Sequence, residues 1–114
     1  MSAYDAVLFD YGGVFTASPF TAAAEFAQKI GVEPDALLET IFGPYEADTD
    51  HPWHRLERGE ITAGEAFEAI VALGRERGID TNPVDFFLSM GGGGIRQNVC
   101  DCVRGLRSDG YKTA

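Results

Sequence analysis

A carboxylate at the end of an apolar run, followed at once by glycines, is where this chain could do chemistry. The stretch reads Ala6-Val7-Leu8-Phe9-Asp10-Tyr11-Gly12-Gly13-Val14-Phe15-Thr16. Four consecutive apolar residues predict a strand buried on both faces, the habit of a parallel sheet covered by helices. In open α/β sheets the working groups sit at the carboxyl ends of strands, where Asp10 stands. A carboxylate beside an apolar sheet is costly to desolvate unless a cation or several donors hold it. Gly12 and Gly13 carry no Cβ, so backbone can bend there and bring its N–H groups close to an anion. The same residues are also ordinary turn chemistry at a strand end.

Phe9-Asp10-Tyr11-Gly12-Gly13-Val14 resembles the first motif of the haloacid dehalogenase (HAD) superfamily, a hydrophobic strand followed by Asp, any residue, Asp, a small residue and Val or Thr. The resemblance implies that Asp10 is the catalytic nucleophile and forms an aspartyl-phosphate or ester. It implies that Asp10 and the Gly12 carbonyl hold Mg2+, and that Tyr11, Gly12 and Gly13 line the phosphate site. The family's second Asp, its general acid/base, is Gly12 here, as in some other members. A second segment, Trp53-His54-Arg55-Leu56-Glu57-Arg58-Gly59-Glu60-Ile61-Thr62 with Glu65-Ala66-Phe67, is similar to the helical cap of the dehalogenase-like and sugar-phosphate-phosphatase branch.

Positioning these residues requires a particular organisation. Ser18-Pro19 starts a helix whose face carries Phe20, Ala23, Ala24, Ala27 and Ile30, and Gly31 stops it. A second helix runs from Pro34 with Leu37, Leu38, Ile41 and Phe42, closed by Gly43. Residues 44 to 52 form an acidic loop, and Trp53 to Arg58 a short helix or turn. Thr62 and Glu65 make a capping box for a long helix bearing Phe67, Ile70, Val71 and Leu73. Asn82-Pro83 opens another, with Phe86, Phe87 and Met90. Such a run of helices after a single strand cannot belong to a regular alternating wind, so it must form its own bundle. Phe26 joins Ile30, Leu37, Leu38, Ile41, Phe67, Ile70 and Leu73 as its expected core.

The expected fold class is therefore α/β: a HAD-like Rossmannoid core, of which only the first strand, one helix and the start of a second strand are present, with an inserted α-helical cap. Residues 1–17 form the first core strand and catalytic loop, 18–90 the cap, and 91–114 a glycine hinge at Gly91–Gly94, a core helix and the next strand from Tyr111. That last helix carries Ile95, Val99, Cys102, Val103 and Leu106 on one face, which places Cys102 inside and Cys100 at the periphery.

Several smaller signals stay structural. His51 and His54 lack a third ligand of matching spacing. Glu46, Asp48 and Asp50 lack the glycine and distal Glu of a calcium loop. Arg58 reaches either an anionic substrate or a surface partner, Glu57 or Glu60. Trp53 packs on the cap or faces the substrate gap.

Composition narrows the partners. A formal charge of −9 leaves no basic patch for nucleic acid or an anionic membrane surface. No apolar run approaches the roughly 20 residues of a membrane span. Two cysteines two residues apart make no disulfide framework, which predicts a reducing cytoplasm. The expected function is a Mg2+-dependent HAD-type phosphatase of a small phosphorylated metabolite. A dehalogenase-type hydrolase of the same superfamily, and a non-catalytic pseudoenzyme or association module, are the alternatives. The family's later Ser/Thr, Lys and acidic motifs do not occur. The resemblance covers the first half of a typical member, and this chain alone is expected to be inactive and to form homo-oligomers through exposed strand edges.

Overall fold

A computed structural model describes residues 3–90 and 94–114. It is mostly helical, with a single two-stranded parallel sheet among the described residues. The order is β1 (Ala6–Val7), α1 (Pro19–Ile30), α2 (Pro34–Phe42), α3 (Pro52–Glu57), α4 (Ala63–Glu76), α5 (Pro83–Met90), α6 (Gln97–Ser108) and β2 (Lys112–Thr113). The chain divides into two compact units, Met1–Pro19 with Met90–Ala114, and Phe20–Ser89.

Local chemistry accounts for the helix ends. Pro19, Pro34, Pro52 and Pro83 each occupy the first position of a helix, where a missing N–H costs nothing and φ is already helical. At the other ends, glycines at positive φ let the chain turn back. Val32 donates to Ala27 O, Glu60 to Arg55 O, Ile79 to Gly74 O and Tyr111 to Leu106 O, each just past Gly31, Gly59, Gly78 and Gly110 respectively. That reversed six-residue bond satisfies a carbonyl the helix cannot. α4 begins with the expected capping box: Thr62 Oγ1 accepts from the Glu65 amide, and the Glu65 carboxylate accepts from the Thr62 amide.

Unit Phe20–Ser89 owns the core. Ala23, Ala27, Leu37, Ile41, Ala66, Ile70, Ile79 and Phe86 are buried. Of the expected core, Phe26, Ile30, Leu38, Phe67 and Leu73 are only half-buried, and none is exposed. An aromatic hub ties α2, α3 and α5 together. The Phe42 ring meets Trp53 at 5.1 Å, Phe86 at 5.8 Å and Phe87 at 5.9 Å, while Trp53 stacks on Phe87 at 5.3 Å. Trp53 is therefore a packing residue. The expected apolar face of α1 is narrower than its sequence suggests. Ala24 is exposed and Phe20 is 54% exposed, its ring edge-on to Tyr45, because Ala23 and Ala27 centre the buried stripe.

The other unit departs further from expectation. β1 and β2 pair in parallel with Ala6 opposite Lys112 and Val7 opposite Thr113. Pairing continues through the Phe9 amide, which donates to Ala114 O at 2.8 Å. The strand expected to be buried on both faces is short and uncovered: Ala6 is exposed and Leu8 is 81% exposed. Within its unit, α6 packs against β2. The cysteine assignment is reversed: Cys100 is half-buried and Cys102 exposed. Val99, Val103 and Leu106 form the inner side of α6, which extends toward Cys100. Ile95 precedes the helix and is exposed. The expected hinge at Gly91–Gly93 lies outside the described residues.

Charge is divided as unevenly as the core. Fourteen acidic and five basic residues fall in Phe20–Ser89, and four of each in the other unit. The whole net charge of −9 therefore resides on the helical unit.

Candidate functional site

Asp10 follows the paired end of β1 and opens a compact turn. Its Oδ1 accepts from the Tyr11 amide at 2.7 Å. The Tyr11 carbonyl accepts from Val14 at 3.2 Å and Phe15 at 2.9 Å, which folds residues 11–15 back on themselves. Gly13 takes φ 80°, open to glycine at little cost, whereas Gly12 does not adopt positive φ. Only one of the two glycines is thus demanded by backbone conformation. A Cβ on Gly12 would meet no atom within 4 Å.

Thr16 is the residue that sequence reasoning left without a role. Its Oγ1 accepts from the Gly13 amide at 3.1 Å, and its hydroxyl donates to Ala17 O at 3.2 Å. A threonine three residues beyond a turn glycine is the signal that could have found it. This bond, with that of Tyr11 to Asp10, occupies two of the amides expected to face an anion. The turn is anchored to the start of α6 by the Arg96 amide, which donates to Phe15 O at 2.7 Å.

Asp10, Tyr11 and Gly12 are exposed and Gly13 half-buried. The Tyr11 ring stacks on Phe15 with centroids 6.0 Å apart, and Phe15 in turn meets Phe9 at 5.7 Å. The result is an open carboxylate beside a small aromatic platform. As a metal site it is partial. Mg2+ takes six oxygens, from one or two carboxylates with waters and substrate phosphate. Asp10 offers one carboxylate and Gly12 a carbonyl, and among the described residues no group of three His, Cys, Asp or Glu is placed to hold a metal ion.

The remaining candidates have structural partners in the helical unit. His51 caps α3 and His54 binds the Thr49 amide. Arg58 bonds Glu60 at 2.7 Å and also pairs with Asp48 and, at 3.9 Å, Asp50; Glu57 is not its partner. The Glu60 carboxyl is held below its ordinary value mainly by the Arg58 bond. The acidic loop is thus held by a cation of the chain itself. An open groove of about 360 Å³ lined by Phe67, Glu68, Val71, Arg75 and Asn82 lies on this unit and contains none of the expected site residues. No helix among the described residues is long and apolar enough to cross a membrane.

No protein-family description, curated protein or solved structure matches this chain.

Proposed function

We propose that Asp10 is the nucleophile of a HAD-type phosphatase acting on a small phosphomonoester. One arrangement carries this reading. An exposed carboxylate stands at the carboxyl end of a strand that pairs in parallel with β2, and all of Phe20–Ser89 is inserted between them as a helical unit. In this reading the sheet is the beginning of a HAD core and the helical unit its cap. The two free cysteines suit a reducing compartment such as the cytoplasm.

Asp10 Oδ attacks phosphorus, the bond from phosphorus to the ester oxygen breaks, and the phosphoryl group stays on Asp10 as a mixed anhydride. Water then attacks that phosphorus, releasing phosphate and restoring the carboxylate. The departing alkoxide needs a proton, which Gly12 cannot donate, so substrates with good leaving groups react first. Mg2+, when bound, would offset the repulsion between Asp10 and the phosphate. Acetyl phosphate, whose leaving group needs no acid, tests the first step. Joined to the family's later Ser/Thr, Lys and acidic motifs, which this chain alone lacks, Asp10 should take up one hydroxylamine-sensitive phosphoryl group by mass spectrometry, and Asp10→Asn none. Absence of label, or label that survives the substitution, overturns the proposal.

A second reading, a module that acts by association, is favoured by the exposure of Leu8 on a sheet with two open edges. Unpaired strand edges recruit other strands. Light scattering over a range of concentrations should then show oligomers that Leu8→Lys disperses; a monomer at every concentration sinks it.

A further inference from the structure

We propose that His51, with Thr49 and His54 beside it, forms an acid-sensitive latch that holds the loop at 43–51 onto α2 and α3, and that opens when the His51 imidazole takes up a proton.

The geometry fixes the ring nitrogens. The Trp53 amide donates to His51 Nδ1 at 3.2 Å, so that nitrogen must be bare. The proton is then on Nε2, which donates to the Thr40 carbonyl in α2 at 3.2 Å. Likewise the Thr49 amide donates to His54 Nδ1 at 3.0 Å. The Thr49 hydroxyl links the His51 backbone to the His54 ring, accepting from the His51 amide at 3.1 Å and donating to His54 Nδ1 at 3.0 Å. Gly43 completes the fit: a Cβ there would lie 2.6 Å from the His51 ring, so only glycine lets the loop close on it.

A neutral imidazole is an acceptor at one nitrogen, whereas imidazolium donates at both. Protonation of His51 therefore turns its Nδ1 from acceptor to donor against the Trp53 amide and breaks the α3 cap. The rings lie 5.6 Å apart, so a charge on one opposes a charge on the other. Asp48 sits 3.9 Å from His54 Nδ1 and pairs with Arg58. Around His51 stand Glu39 of α2, Arg77 at the end of α4 and His54 of α3. Burial holds His51 below the usual histidine value of 6.5; the Thr40 bond pulls the other way, His54 and Arg77 push it down, and Glu39 raises it. Because the folded value is the lower one, the stability contributed by neutral His51 is present at high pH. It is lost as pH falls from 6.5 through that lower value.

Amide hydrogen exchange on the full chain, corrected for intrinsic rates, tests the latch at about pH 7.5 and about pH 5. Protection at Trp53 should fall at least about tenfold at the lower pH, while the α4 amides keep theirs. His51→Asn retains a capping acceptor that does not titrate, so its Trp53 protection should hold at low pH. Imidazole nitrogen shifts of the unmodified chain give an independent reading. The Trp53 amide staying protected while the His51 ring titrates overturns the latch. So does failure of that ring to titrate before the chain unfolds.

Discussion

Gly74 and Ile79 touch twice at the end of α4. The Ile79 amide donates to the Gly74 carbonyl at 2.7 Å, and a Cβ built on Gly74 would stand 2.6 Å from the Ile79 carbonyl oxygen. The same closure that satisfies one backbone group leaves no room for a methyl group.

Two effects of opposite sign therefore compete in Gly74→Ala. Helix propensity alone favours alanine by about 1 kcal/mol, but the clash is with backbone, and overpacking of this kind costs about 1–3 kcal/mol. We expect net destabilisation in urea denaturation. A stabilised variant would show that the turn after α4 yields freely.

Thr81 is buried, and its Oγ1 has no hydrogen-bond partner among the described residues. An unpaired buried hydroxyl costs about 1–3 kcal/mol. Thr81→Val keeps the shape and removes the hydroxyl, so we predict an increase in stability of about 1 kcal/mol or more. A loss would reveal a partner for that oxygen.

Thr62→Ala removes the cap of α4 and should cost about 1 kcal/mol of unfolding free energy. The pH dependence follows from its partner. Glu65 is held below its ordinary 4.5 first by the bond from the Thr62 amide and then by the Thr62 hydroxyl. A carboxyl with a depressed folded value stabilises above the unfolded value and loses that effect as pH falls through the folded one. Far-UV circular dichroism of Glu65→Gln should thus show a deficit at neutral pH that narrows below about 4.5.

Gly12→Asp probes the missing acid. Space and backbone conformation both admit the side chain, so stability should stay within about 0.5 kcal/mol. If protonation of the leaving group limits turnover, rates for poor leaving groups should rise more than those for good ones. Equal gains, or a collapse in stability, would argue against that role.

Local signals account for what was legible in the sequence. Proline and glycine punctuation placed the helices at Pro19, Pro34 and Pro83, because φ restriction and left-handed turns act within a few residues. Thr62 and Glu65 were readable for the same reason. What depends on distant neighbours was not. Exposure of Leu8, inversion of Cys100 and Cys102, and placement of Trp53 against Phe42 and Phe87 are set by which surfaces meet, which periodicity does not specify. At the candidate site, Asp10 and the Gly13 turn follow from the motif. The Thr16 bond was hidden because a hydroxyl has many local acceptors and donors to choose from.

The segregation of charge gives the two units opposite responses to ionic strength. The sheet unit, with four acids balancing four bases, carries no net charge of its own. The helical unit holds the entire excess of negative charge, and its long-range field fades over a Debye length of about 8–10 Å near physiological salt. Cationic molecules would be drawn to it at low salt and released at high salt, while any apolar self-contact of the sheet unit would persist. Ionic strength thus acts on the field of one unit and finds no net charge to screen on the other.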